Sequence, residues 1–533
     1  MKPLSKLLLA ILSAVLLIAV WYSSSLIFLL FFAFVPLLLI EEDYLDTHKN
    51  SFGVFNYAYI TFFLWNLFTT FWIYKATPVG AAMAVLANSA LMAFVFWMYH
   101  LSRRYTNGKV GRYALIFWWL AFEFLFFKTE ISWPWLTLGN AFADNVTIIQ
   151  WFEYTGVLGG SLWVLFANVI IVSSIAETVI QRQTMLRRLI ANGVLLLLLI
   201  VIPIVISLIR YNNYTEKGNP VEVVVLQPNI DPYHEKFGSM DAMEQVTRLL
   251  SVADNMVTPN TKYVVGPETA IVEIIWEEHV NSYASIRMIN SFLKENDHVA
   301  FVVGASTRME YESGANIPPT ARKFKNADRY YDRFNTAMQI TPNTIDFYHK
   351  SQLVLGVEKM PYYKYFKFLD SFSADLGGTV GSLGVQEEPS VFKYKGSVTA
   401  PIICYESIYA EYVTEYVKKG AGLLFIITND GWWGNTPGYK QHMRYATLRA
   451  IENRRSIARS ANTGISAFIN QRGDIIKPTK WWVPTAIRDE IYENTELTYY
   501  SENGDYIGRV ATFLTVLIIL LMVVTSILTK KST

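Results

Sequence analysis

The stretch SVTAPIICYESIYAEY, Ser397 to Tyr412, decides how the middle of this chain folds. Small and β-branched residues run without a charge up to a thiol, and a tyrosine and a glutamate follow at once. A short apolar run that stops at polar groups reads as a buried strand followed by a turn. The thiol is Cys404, the only cysteine among 533 residues. A lone cysteine is ordinarily a small hydrophobe without chemistry, so its meaning rests on its surroundings. It also excludes an intramolecular disulfide, which leaves the domain to be stabilised by its own core.

Working outward, similar runs recur. VEVVVLQPNI, TKYVVGPETAIVE, HVAFVVGAST, NTAMQITP and GLLFIITNDGWWG each end in polar or glycine-rich turns. Helical stretches lie between several of them, at Met240 to Val257 and Val280 to Glu295. YKQHMRYATLRAIENRRSIARSA, Tyr439 to Ala461, reads as one long amphipathic helix, with a strand GISAFINQRGD after it. Strands alternating with helices predict an α/β domain with helices over the sheet faces. Reactive groups in such sheets gather where strands end. Three ends carry one group each: Glu268 after YVVGP, Lys350 after IDFYH and Cys404 after APIIC. Together they suit acyl transfer. A thiolate is the nucleophile, a carboxylate is a general base for it, and an ammonium favours thiolate and holds an oxyanion. Glu358, eight residues after Lys350, is placed to orient the lysine or to take its proton.

The rest of the chain differs in kind. Hydrophobic residues make up 52% and charged residues 17%, well below the quarter usual in soluble domains. A net charge of +2 argues against a nucleic-acid partner. The apolar excess lies before Arg210 and after Ile507. Eight windows approach the roughly 20 residues a membrane helix needs: Leu7–Tyr22, Leu26–Ile40, Tyr57–Tyr74, Val79–Tyr99, Tyr113–Phe127, Val157–Ile180, Leu189–Leu208 and Val510–Leu528. The first lacks a small-residue cleavage site and reads as an anchor. With eight spans, the clusters at Lys2 and Lys6, at Arg103 to Arg112, at Arg182 to Arg188 and at Lys530 and Lys531 all fall on one side. The positive-inside rule then puts both termini in the cytoplasm and the α/β domain on the far side of the membrane. The expected division is residues 1–210 with seven spans, 219–503 with the α/β domain, and 507–529 with the eighth span.

Two segments at the outer ends of spans five and six are rich in tryptophan, Ile131 to Asn140 and Ile148 to Trp163. The tryptophans read as interface anchors, and Gly156, Gly159 and Gly160 as points of close helix approach. Glu123 is an acid at membrane depth, expensive unless it faces the bundle.

The motifs GPETA, HKSQLVLGVEKMP, ICYES and NDGWWGNTPGYKQHMRYATLRAIENRRSIARSANTG resemble those of the nitrilase (carbon-nitrogen hydrolase) superfamily. Set between hydrophobic spans, they resemble its membrane-bound branch, the bacterial apolipoprotein N-acyltransferases, over nearly the whole chain. The resemblance implies an αββα sandwich joined to an eight-helix membrane bundle, and no cofactor or metal. It makes Glu268 the general base, Lys350 the electrostatic stabiliser and Cys404 the nucleophile. Glu358, Tyr405 and Glu406 become supporting residues, and Asn429, Asp430, Trp432 and Trp433 the border of an acyl pocket. The chain departs from the usual Pro-Phe-Gly before the second glutamate, having Leu355, Gly356 and Val357. The implied reaction moves an acyl chain from the sn-1 position of a phospholipid, through a Cys404 thioester, to the amine of a diacylglyceryl-cysteine on a lipoprotein. Nothing in the chain demands more than a monomer. MPYYKYFKFLDSFSADLGG, Met360 to Gly378, mixes aromatics and lysines as a membrane-surface flap does. An anchored amidase with water as acceptor uses the same residues, and a membrane scaffold with a retired enzyme domain is the reading outside enzymology.

Overall fold

The computed structural model describes residues 1–46, 50–106, 111–176, 186–312, 316–362 and 382–531. The flap expected at Met360 to Gly378 therefore lies outside the described residues from 363 onward. The chain forms two compact units, one of residues 1–72, 79–213 and 503–533, the other of 73–78 and 214–502.

In the first unit, six helical stretches among the described residues are long and apolar enough to cross a membrane. They are Pro3–Tyr22, Ser24–Leu45, Pro78–Tyr105, Phe152–Ile175, Leu186–Asn213 and Tyr506–Leu528. Two further helices stand where spans are expected. Phe52–Thr70 is diluted by Asn56, Asn66 and three threonines, and Ala114–Phe127 has only 14 residues. The second stretch begins as the 3-10 turn Ser24–Phe31 and continues as the α-helix Val35–Asp46.

Glu123 has partners. Its Oε1 accepts from Trp119 Nε1 at 3.1 Å and from the Leu138 backbone N–H at 2.9 Å. The WPWLTLGN segment folds into the 3-10 turns Pro134–Leu136 and Leu138–Asp144. Trp135 is wholly buried there, 4.7 Å from the Trp72 ring and stacked on Trp133, so it is a core residue rather than an interface anchor. The close approach expected of the glycines is real at Gly160, where an added Cβ would lie 2.9 Å from Gly139 Cα.

The second unit contains two sheets. Its strands are β1 (Asn219–Gln227), β2 (Thr261–Val265), β3 (Ile271–Trp276), β4 (Ala300–Tyr311), β5 (Arg322–Lys323), β6 (Tyr330–Ile340), β7 (Ile345–His349), β8 (Phe392–Tyr394), β9 (Ser397–Ile403), β10 (Leu423–Thr428), β11 (Ser456–Ala461), β12 (Ala467–Ile469), β13 (Ile475–Ile476) and β14 (Thr485–Glu493). The first sheet runs β14-β1-β2-β4-β6-β5, with β3 beside β4 and β7 beside β6; the second runs β13-β12-β11-β10-β9-β8.

The period of two along β1 explains the layering. Val221, Val223 and Val225 join a core with Ile402 and Phe425 of the second sheet. Val224 and Leu226 face the other way, onto Val246 and Leu249 of the helix Ala242–Ser251 and Ile286 and Ile289 of the helix Ala284–Glu295. The second sheet is covered by Ala410–Lys418 and Pro437–Asn453 through Val413, Val417, Met443 and Ala450. The result is helix, sheet, sheet, helix, with both sheets buried on both faces.

One sequence expectation fails. The helix that starts at Pro437 stops at Asn453, Arg454 turns into the left-handed region at φ 49°, and SIARSA is strand β11. That segment pairs in parallel with all of β10, from Leu423 against Ser456 to Thr428 against Ala461. Tertiary pairing overrides the helical pattern, which the arginines had suggested. The helix is also not amphipathic. It is buried nearly all round, and Lys440 is its exposed residue.

Candidate active site

Every group picked from the strand ends stands shortly after a strand. Glu268 follows β2, Lys350 follows β7, Cys404 follows β9 and Asn429 follows β10. Cys404 itself has φ 50°, in the left-handed region that a residue with a Cβ occupies only when its surroundings over-determine it. Thr269, next to Glu268, is similarly placed at φ 47°.

Lys350 is the hub. Its Nζ lies 3.0 Å from Oε1 of Glu268 and 3.0 Å from Oε1 of Glu358. Asn335, on β6, donates its Nδ2 to the same two oxygens at 2.8 and 2.7 Å. It also accepts the Lys350 backbone N–H at 2.8 Å. The second oxygens are held by backbone: Glu268 Oε2 accepts from the Asn429 N–H at 3.1 Å, and Glu358 Oε2 from the Val354 N–H at 2.7 Å. The Lys-to-Glu loop therefore closes on its own carboxylate although it lacks the Pro-Phe-Gly of the family.

Burial opposes each charge here, and the neighbours decide each balance. Glu268 pays for burial, yet the Lys350 ammonium and the Asn335 amide outweigh it and hold its carboxyl below the usual range. Lys350 also loses by burial, but Glu268 and Glu358 keep it firmly protonated. Cys404 is the reverse case: burial and the Glu268 charge push its thiol well up, against the weaker pull of Lys350. The resting site thus stores the proton on sulfur beside an ionised carboxylate.

Glu406 is wholly buried and ties the two loops together. One oxygen accepts from Tyr348 Oη at 2.6 Å and the Ser351 N–H at 2.7 Å, the other from the Ile403 N–H at 2.8 Å. Tyr405 is buried with its ring edge-on to Tyr409. Of the pocket candidates, Trp432 and Trp433 are half-buried, the first 5.6 Å from the Tyr233 ring and the second 5.5 Å from His442. Asn429 is buried and its side-chain Oδ1 accepts from Asn462. Asp430 is fully buried, with Thr428, His442 and Arg459 on its oxygens. Burial raises its pKa, but Arg459 and His442 outweigh this and depress it strongly.

Asn335, Lys236 and His442 were not singled out from the sequence. Asn335 sits in RFNTAMQI, an otherwise ordinary strand, and no spacing marks it. Lys236 Nζ donates to Thr269 Oγ1 at 2.6 Å, and burial pushes its pKa down to about 8 against the pull of Glu268. Among the described residues, no group of histidines, cysteines and acids could hold a metal ion.

Residues 222–495 match the family model described as carbon-nitrogen hydrolase, and residues 13–170 match that of the apolipoprotein N-acyltransferase N-terminal domain. The chain is 28% identical over 500 residues to the apolipoprotein N-acyltransferase of Chlorobaculum tepidum, covering 90% of this chain and 88% of the relative. Apolipoprotein N-acyltransferase 1 of Treponema denticola is 23% identical, covering 92% and 90%, and the apolipoprotein N-acyltransferase of Geobacter metallireducens 26%, covering 93% and 91%. The chain belongs to the carbon-nitrogen hydrolase family, as a membrane protein whose helical region matches the N-terminal domain of the apolipoprotein N-acyltransferases.

Proposed function

We propose that this protein is an apolipoprotein N-acyltransferase working by a cysteine thioester. The observation that carries it is the Glu268–Lys350–Glu358 cluster beside the left-handed Cys404, in a chain that resembles such acyltransferases over 90% of its length.

In the first half-reaction Glu268 takes the thiol proton as the Cys404 sulfur attacks the sn-1 ester carbonyl of a phospholipid. Lys350, firmly protonated, stabilises the tetrahedral oxyanion. The C–O bond breaks, Glu268 returns the proton to the departing alkoxide, and a lysophospholipid leaves a thioester on the enzyme. In the second, the α-amine of an S-diacylglyceryl-cysteine attacks the thioester and gives its proton to Glu268. The C–S bond then breaks and the thiol is restored with that proton. Splitting the transfer in two lets each lipid react in turn, with ping-pong kinetics.

A membrane setting follows from the same reading. Eight spans carry the unit, both termini are cytoplasmic, the catalytic unit faces the periplasm, and the protein acts as a monomer. Glu358 supports Lys350, while Tyr405 and Glu406 support the cysteine turn. Asn429, Trp432 and Trp433 border the acyl chain. Asp430 belongs behind the nucleophile.

Intact-protein mass spectrometry after incubation with phosphatidylethanolamine in detergent tests this. The expected result is a one-acyl mass increase that hydroxylamine removes and that Cys404→Ser lacks as a labile adduct. A diacylglyceryl-cysteine peptide should then discharge it to an amide. Discharge to water alone indicates an amidase, and folded protein that forms no adduct overturns the reading.

A further inference from the structure

We infer that His442, braced by Asp430, is a positioning residue for the nucleophile: it holds the Cys404 carbonyl and so fixes the left-handed turn that presents the thiol. This rests on the reading of Cys404 as nucleophile.

The geometry is a clamp. His442 Nε2 lies 3.2 Å from the Cys404 carbonyl oxygen, and Ser407 Oγ donates to the same oxygen at 2.7 Å. Nε2 also lies 3.1 Å from Ser407 Oγ, so imidazole, hydroxyl and carbonyl form one triangle, and because a carbonyl only accepts, the bond to it runs from Nε2–H. The ring's far side is fixed as well: Nδ1 is 2.9 Å from Asp430 Oδ1, while Arg459 holds Asp430 Oδ2 at 2.6 Å. Thr428 Oγ1 adds a third bond to Asp430, at 2.8 Å. His442 is 1% exposed and Asp430 not at all, so water does not compete. The clamp thereby ties the turn after β9 to the end of β10, to β11 and to the helix Pro437–Asn453.

The peptide plane explains why this matters for chemistry. The Cys404 carbonyl and the Tyr405 N–H share one rigid plane. Anchoring the oxygen therefore sets the direction of that N–H and of the cysteine's own ψ together. Without the anchor, the strained φ of Cys404 can relax by rotation about N–Cα, which swings the carbonyl and Cβ together, and Sγ moves with them. Misplacing a reacting atom by about 1 Å costs about 10²-fold in rate. The Asp430–Arg459 pair persists without the imidazole, so the fold does not hang on His442 alone.

Two substitutions separate positioning from mere support, because each keeps one end of the ring. His442→Gln places an amide N–H near the position of Nε2, and His442→Asn places one near Nδ1. Both are made in the full-length protein in detergent, matched for melting temperature. Acyl-enzyme formation with phosphatidylethanolamine is timed by mass spectrometry, and alkylation of Cys404 by iodoacetamide is timed without lipid. His442→Asn should lose about 10²-fold in acylation rate with the apparent KM for the donor unchanged, and its alkylation should slow. His442→Gln should stay close to the unsubstituted protein in both. Equal behaviour of the two variants, or a loss in KM alone, overturns the proposal. If His442→Asn does not fold, His442→Gln carries the test alone, and a loss of about 10²-fold in its acylation rate overturns the proposal equally. An unsubstituted protein that is alkylated but never acylated sinks the acyltransferase reading instead, and the alkylation rates of the variants still judge the clamp.

Discussion

Lys350 Nζ stands 3.0 Å from Glu268 Oε1 and at the same distance from Glu358 Oε1, so one ammonium is shared between a buried carboxylate and a partly buried one. The two carboxylates keep the lysine protonated, while Lys350 and the Asn335 amide keep Glu268 ionised.

Glu268→Gln is nearly isosteric and removes the proton acceptor. Acyl-enzyme formation should fall by about 10²–10⁴-fold, read as the single-turnover rate by mass spectrometry. A rate near that of the unsubstituted protein would remove Glu268 from the reaction.

Glu358→Gln should slow the same step less, by about 10-fold, equivalent to 1.4 kcal/mol. Lys350 keeps Glu268 as a counter-charge, and the Val354 loop keeps an acceptor only if the amide oxygen turns towards it. Matched single-turnover rates for the two variants compare them directly, and a larger loss in Glu358→Gln would reverse their assigned roles.

Glu406→Gln tests the tie between the loops. Both carboxylate oxygens face donors only, Tyr348 and Ser351 on one side and Ile403 on the other. An amide must turn its NH2 towards one of them. The expected loss is about 1–3 kcal/mol of stability, seen as a lower melting temperature in detergent. An unchanged melting temperature would show that the loops do not depend on this carboxylate.

Lys236 makes a prediction about pH. Burial pushes its pKa from 10.5 down to about 8. Between those values the folded lysine is neutral and the unfolded one is charged, so the unfolded state binds more protons and stability rises with pH. The burial cost is fully present below about pH 8 and relieved towards 10.5. The melting temperature of the protein relative to Lys236→Met should therefore climb across that window. A difference flat with pH would contradict it.

In the helical unit, a Cβ on Gly139 would lie 2.0 Å from the Val157 carbonyl oxygen. Gly139→Ala must push backbone apart and should cost about 1–3 kcal/mol. Fluorescence-detected melting in detergent reads this, and an undiminished midpoint would show that the segment can shift.

Much of the site was legible because strand ends are legible. Apolar runs stop abruptly at Glu268, Lys350 and Cys404, and a charged or reactive group at such a stop has few structural uses. Asn335 and His442 carry no such mark. Asn335 is one polar residue on a long strand, and His442 lies on a helix whose sequence looked amphipathic. Their importance comes from burial, and burial of a polar group is tolerable only where partners wait for it. Those partners lie far away in sequence: Asn335 reaches Glu268 across 67 residues, and His442 reaches Cys404 across 38.

The sequence by itself determined the apolar helices, the core strands VEVVVLQ, TKYVV, AFVVG, APII and LLFIIT and the three chemical types at strand ends, because hydrophobic runs and their stops are local properties of the chain. Tertiary structure decided the rest. It broke the expected helix at Arg454, since SIARSA gains more as a buried strand beside β10 than as further helix turns. It joined Glu268 and Glu358 through one lysine, and it set His442 behind the cysteine. Each of those outcomes balances the cost of burying charge against partners that only the folded chain brings within reach.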